Sequence, residues 1–90
     1  MELTSIFEIK NKLGLHAKAA GVFVQTTNKY NSDFFVKKDD IEVNGKSIMG
    51  LMMLAAAKGS KILITVKGDD ASDAMKDIHN LIDKKFGEEE

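Results

Sequence analysis

A chain of 90 residues, 43% apolar and 30% charged, is long enough for one small hydrophobic core and too apolar for a disordered segment. It has no cysteine, which excludes disulfides, thiolate nucleophiles and cysteine-held metals and suits a reducing cytoplasm. A net charge of −1, from 13 basic and 14 acidic residues, offers no broad basic field to nucleic acid or anionic lipid. Function is therefore expected in a local site on a single domain spanning residues 1–90.

The N-terminus, MELTSIFEIK, carries an acidic residue and alternates, unlike the basic start and apolar run of a signal peptide. Leu3, Phe7 and Ile9 fall on one face of a strand and Thr4, Glu8 and Lys10 on the other, with Ile6 breaking the alternation. A turn over Asn11–Leu15 leads into a helix from Ala17 to about Asn28, with Ala20, Phe23, Val24 and Thr27 as its inward face. Strands Asp33–Lys37, burying Phe34 and Val36, and Ile41–Asn44, burying Val43, flank the polar hairpin loop Lys38-Asp39-Asp40. Ser47 is placed to cap a short helix running to about Leu54.

After Lys58-Gly59-Ser60, Lys61–Lys67 reads as a strand with Ile62, Ile64 and Val66 alternating. Gly68-Asp69-Asp70 supplies a turn and an N-cap. The last helix carries the strongest apolar stripe, Ala71, Ala74, Met75, Ile78, Leu81 and Ile82. Gly87 is positioned as a helix stop, and Glu88-Glu89-Glu90 as a frayed end. The longest apolar stretch, Ile48 to Ala57, is interrupted by Gly50 and falls well short of the roughly 20 residues a bilayer requires. The order β-α-β-β-α-β-α, with a hairpin and four short strands, predicts an α+β fold. Its architecture is a two-layer open-faced sandwich with an antiparallel sheet and helices on one face.

His16 is the leading chemical candidate. It stands just before the first helix in the turn LGLHAKAA, where unpaired backbone N–H groups and the positive end of the helix dipole favour phosphate. The same field disfavours an imidazolium and leaves a neutral, nucleophilic ring. Lys18 could meet an added phosphoryl group. From position alone, an exposed N-cap or loop histidine is the commoner explanation. Gly14 and the small Ala17 and Ala20 move that balance only modestly.

The segment Asn44-Gly45-Lys46-Ser47 resembles the end of a nucleotide-binding loop. However, Asp40 stands where that loop requires glycine, so nucleotide binding is rejected. Ser47 is first of all a helix cap, although a phosphate added there would be tolerated by the helix terminus. The helix Ile48-Met49-Gly50-Leu51-Met52-Met53-Leu54 is apolar nearly all round. It can bury only about half its circumference on a sheet, so part of it must face water as an adaptable docking surface. His79 reads as a solvated residue flanking the last stripe. With two distant histidines and no cysteine, no transition-metal site is expected.

GLHAKAAGVFVQ (Gly14 to Gln25) and VNGKSIMGLMMLAAAKGSKI (Val43 to Ile62) closely resemble the HPr family, the histidine phosphocarriers of the bacterial sugar phosphotransferase system. The likeness covers essentially the whole chain. It implies four antiparallel strands under three helices, and His16 as the residue phosphorylated by enzyme I, at the pros nitrogen, Nδ1. EIIA-type domains would then receive the phosphoryl group. The resemblance also matches Ser47 to a serine modified by an ATP-dependent kinase in some bacteria, with a phosphatase to reverse it, and Ile48, Met49 and Met52 to the patch that partners grip. It implies a stoichiometric carrier, not an enzyme in the usual sense. The chain's own residues call for no metal or organic cofactor, and a cytoplasmic location is expected. The small interface expected points to a monomer with transient partners, with oligomeric state left open.

Two positions depart from the family pattern: Lys18 replaces the usual arginine and Ala19 the usual proline. Lysine keeps the charge but loses the planar fork. Losing a proline at a compatible backbone position costs roughly 0.4–1 kcal/mol. Two other functions compete with the transport carrier. One is a nitrogen-type regulatory paralogue that signals by its phosphorylation state; the other is a docking module that works through the Met-rich helix without phosphorylation.

Overall fold

The computed structural model describes residues 1–90. In chain order it contains β1 (Glu2–Glu8), α1 (Ala17–Thr27), β2 (Asp33–Lys38), β3 (Ile41–Asn44), α2 (Ile48–Met53), β4 (Lys61–Lys67) and α3 (Ala71–Asp83). The four strands form one sheet in the order β1-β4-β2-β3, all neighbours antiparallel. Helices cover one face only, as the alternating strands require.

Register explains the strand chemistry. Ile64 pairs with Ser5 on one side and Val36 on the other, and Val66 pairs with Leu3 and Phe34. These positions share the covered face, so a slip of one residue would expose the whole set. The same register resolves Ile6. It pairs with Leu63 on the open face and is 66% exposed, so the true inward row of β1 is Leu3, Ser5 and Phe7. Ile9 continues that row beyond the strand, fully buried and held by hydrogen bonds to Ser60 and Gly59 at 2.9 and 2.8 Å.

Twenty buried apolar residues make one core between the sheet and the helices. Phe23 from α1, Phe34 from β2, Leu51 from α2, Ile64 from β4 and Ile78 from α3 are its largest elements, each no more than 1% exposed. Each such burial contributes roughly 1.5–3 kcal/mol. The inward faces expected of α1 and α3 are present, with Ala19 and Thr26 added to the first. Met75 and Leu81 pack only at the margin of the core, as does Val43.

Three expectations need correction. Asp70 occupies the N-cap position of α3 but makes no side-chain cap. Its carboxylate instead accepts from the backbone N–H groups of Asn31 and Ser32 at 2.8 and 3.1 Å, and from the Ser32 hydroxyl. The aspartate therefore pins the loop before β2, and those donors hold its pKa below the usual carboxylate value, the Ser32 hydroxyl most of all. Second, α3 ends at Asp83, before Gly87. Lys85 and Phe86 take left-handed φ values of 56° and 57°, uncommon for such residues, and the turn over Lys85–Gly87 drives the Phe86 ring into the core at 5% exposure.

Third, the C-terminal residues are not frayed. The Lys12 backbone N–H donates to Glu90 O at 2.7 Å, and the Glu88 side chain is only 17% exposed. The tail lies against the turn that carries His16.

The cap expected of Ser47 is present: its Oγ accepts from Gly50 N at 2.9 Å. Because α2 has only six residues, this bond is a large fraction of its fixed geometry. Replacing Ser47 with alanine is expected to destabilise the fold by about 1 kcal/mol. Urea denaturation would register this as a lower midpoint with an unchanged slope.

Candidate functional site

The turn before α1 is built by Asn11 and Gly14. Gly14 adopts φ +67°, and its N–H reaches Asn11 O at 3.2 Å. A Cβ on Gly14 would stand 2.3 Å from Ala56 O and 2.9 Å from Ala57 Cα, so only glycine lets the turn lie on segment 55–57 after α2. Leu15 N then bonds Ala56 O at 2.9 Å. Two stretches distant in sequence are thereby locked backbone to backbone, with His16 at their junction.

His16 is the N-cap of α1, in extended conformation, and its carbonyl accepts from Ala20 N at 2.9 Å. Its side chain makes no cap bond, and the first turn contains no acidic residue. The leading N–H groups of α1 thus have neither an intrahelical acceptor nor a side-chain acceptor, and no carboxylate of the helix neutralises its positive end.

The imidazole is 29% exposed, and its Nε2 lies 2.5 Å from Glu88 Oε2. The other Glu88 oxygen accepts from Asn11 Nδ2 at 2.9 Å. These contacts hold the pKa of Glu88 below its ordinary value, the Asn11 amide contributing most and then His16, with Lys18 adding a further favourable charge. A carboxylate so depressed stays ionised at neutral pH, and its contribution to stability fades only as pH falls through that lowered value.

Around the histidine, Lys12, Lys18, Glu88, Glu89 and Glu90 line an open groove of about 610 Å³. Leu13, Leu15, Met52 and Ala55 to Ala57 line an adjoining apolar depression that also includes His16. The charged groove and the apolar depression beside α2 therefore share Leu13 and His16. On α2, Leu51 is buried, whereas Ile48, Met49, Met52 and Met53 are 42%, 77%, 44% and 69% exposed. The sequence singled out the first three. Met53 joins them because a short helix resting on Leu51 and Leu54 leaves most of its circumference uncovered.

Lys18 is exposed and borders the groove. Ala19 is fully buried, at a first-turn position whose N–H needs no intrahelical acceptor. Ser47 sits at the opposite end of α2 from Ala55, with its hydroxyl engaged as the cap. His79 lies elsewhere, edge-on to Phe7 at 5.7 Å and 3.3 Å from Asp83, and takes no part in the site. No group of side chains in the chain is arranged to hold a metal ion, and no helix is long and apolar enough to cross a membrane. Glu88 and Asn11 are the site residues that the sequence did not reveal. Glu88 was hidden in a polar terminal run, and Asn11 read as an ordinary turn residue.

Comparison with known proteins places this geometry in context. Residues 3–84 match the family model described as the PTS HPr component phosphorylation site. The phosphocarrier protein HPr of Neisseria meningitidis serogroup A is 52% identical over 88 residues, covering 98% of this chain and 99% of that protein. The HPr-like protein Crh of Halalkalibacterium halodurans is 45% identical over 78 residues, covering 87% and 93%. Among solved structures, HPr of Thermoanaerobacter tengcongensis superposes with a TM-score of 0.90 at 48% identity over 100% of this chain and 99% of that one. An HPr dimer from the same organism gives 0.77 at 49% identity, covering 91% and 94%. With the open-faced sheet, the three helices and the histidine turn all accounted for, this chain belongs to the HPr family of phosphocarrier proteins.

Proposed function

We propose that His16 accepts a phosphoryl group from enzyme I on Nδ1 and hands it to EIIA-type domains, as a stoichiometric carrier in the cytoplasm. One observation carries this reading: a half-buried histidine at the N-terminus of α1, whose first turn has no side-chain cap and no acidic residue of its own, next to an exposed methionine surface. The ring supplies the nucleophile, and the free N–H groups supply donors to the transferred phosphoryl oxygens. Lys18 adds a mobile positive charge on the groove side.

Ile48, Met49, Met52 and Met53 form the docking surface. Methionine suits it because one flexible, polarisable surface must fit both donor and acceptor. Such a patch fits contacts at the low end of interface sizes, which release quickly, and a carrier that works as a monomer. Ser47 is the proposed regulatory site. A phosphate on its Oγ would add negative charge beside Ile48 and Met49, changing the surface partners read.

The test is direct. The protein is incubated with enzyme I, phosphoenolpyruvate and magnesium, and its intact mass is followed at neutral pH. One added phosphoryl group, stable in alkali and lost in acid, is expected. A chain that gains no mass while a relative's HPr is phosphorylated in the same mixture would eliminate the carrier reading and favour a docking module.

A further inference from the structure

We propose that Glu88, itself oriented by Asn11, is a positioning residue that fixes the His16 tautomer and so selects Nδ1 as the nucleophile. The inference rests on the carrier reading above for its consequence, but its geometry stands apart from it.

The chain of contacts has little freedom. Asn11 is fully buried, and its Nδ2 donates to Gly14 O at 2.8 Å and to Glu88 Oε1 at 2.9 Å. Both amide hydrogens face oxygens, which fixes the amide orientation: reversed, the amide oxygen would confront two acceptors. Asn11 Oδ1 is consequently left buried without a partner, so the side chain forgoes its own acceptor bond while both donors are used. Glu88 Oε2 then lies 2.5 Å from His16 Nε2. A carboxylate only accepts, so Nε2 must carry the proton, and in the neutral ring the lone pair is on Nδ1. Nδ1 makes no hydrogen bond within the chain.

The chemical consequence follows by counting protons. A neutral ring protonated on Nε2 attacks phosphorus through the Nδ1 lone pair. The N–P bond forms, the bond from phosphorus to the donor's leaving group breaks, and that electron pair stays with the donor. No proton has to leave first. The ring acquires positive charge as the bond forms, and the charge is shared with an Nε2–H that already faces a carboxylate. The opposite tautomer would present a protonated Nδ1, which cannot attack until that proton is removed.

The substitution Glu88→Gln provides a sharp test because Asn11 dictates the orientation of the new amide. Its oxygen has to meet Asn11 Nδ2, leaving its NH₂ group towards His16 Nε2. An NH₂ group donates, so Nε2 loses its proton and Nδ1 gains it. Alanine at the same position removes all preference.

Long-range proton–nitrogen correlation spectra of ¹⁵N-histidine protein, recorded where the imidazoles are neutral and assigned against His79→Ala, read the tautomer directly. Wild type is expected to be mainly Nε2–H, Glu88→Gln mainly Nδ1–H, and Glu88→Ala the mixture of a free imidazole. Asn11→Asp, which sets a second carboxylate against Glu88, should release the tail and give that same mixture. Initial phosphorylation rates should fall roughly tenfold in Glu88→Gln, the effect of one charge-assisted hydrogen bond. Backbone amide spectra confirm that each variant is folded, which a position outside every helix and strand favours.

A wild-type ring protonated on Nδ1, or a tautomer unchanged by Glu88→Gln, overturns the proposal. Failure of the carrier reading is read separately: a chain with the expected tautomer that never gains phosphate keeps the positioning role of Glu88 and loses only its catalytic use.

Discussion

Replacing His16 with alanine is expected to abolish acid-labile phosphate uptake entirely, while His79→Ala takes up phosphate as wild type does. Both residues are histidines within a few ångströms of a carboxylate, His16 of Glu88 and His79 of Asp83, so side-chain chemistry alone does not distinguish them. Position does. His16 stands at the open end of α1 beside the apolar depression, whereas His79 lies on an exposed face of α3 against Phe7. On the proposed reading, a donor protein seated on α2 would deliver its phosphoryl group to His16 and not to His79. Since the His16 side chain makes no helix cap and is partly exposed, its removal should change folding stability by no more than about 1 kcal/mol. A folded His16→Ala protein that still gained acid-labile phosphate would show that another side chain carries it.

The second large effect concerns Gly14, which makes no contact with any reacting group. Alanine there needs a left-handed backbone, at about 1–2 kcal/mol. It must also push the Ala56–Ala57 backbone away from a 2.3 Å approach, which adds about 1–3 kcal/mol. The expected loss is about 2–5 kcal/mol, a large share of the roughly 5–13 kcal/mol that holds a chain of this length together. Gly59→Ala is the matched control. It too has positive φ, +88°, but nothing lies within 4 Å of the added Cβ, so only the conformational cost remains. Urea midpoints of the two variants should differ clearly. Equal midpoints would mean that the turn relaxes freely and does not clamp His16 to the segment after α2.

That clamp gives the fold its functional logic. His16 and α2 are about thirty residues apart, joined by the hydrogen bond from Leu15 N to Ala56 O and by the contact of Gly14 with Ala56 and Ala57. Under the proposed carrier reading, a partner that grips Met49 and Met52 would hold the imidazole at a fixed offset, as proximity catalysis requires.

Several features were determined by the sequence itself. Alternation in Lys61–Lys67 and the stripe from Ala71 to Ile82 specified a strand and a helix because local periodicity decides which side chains share a face. The excess of apolar residues around α2 indicated a surface that no sheet could cover, and Ile48, Met49 and Met52 are indeed exposed. The position of His16 ahead of a helix was equally local.

Tertiary structure alone decided the rest. Asp70 looked like a helix cap, yet its carboxylate serves a loop nearly forty residues away, because a stronger set of donors reaches it in space. Ile6 appeared to break a pattern only because strand register, which depends on β4, was unknown. Glu88 belongs to a polar terminal run that by composition should be free. It is held because Phe86 is buried in a left-handed turn and because a buried asparagine from the other end of the chain offers it a donor. Hydrogen bonds between residues more than seventy positions apart leave no periodic trace in a sequence, and one of them places a carboxylate on the histidine ring.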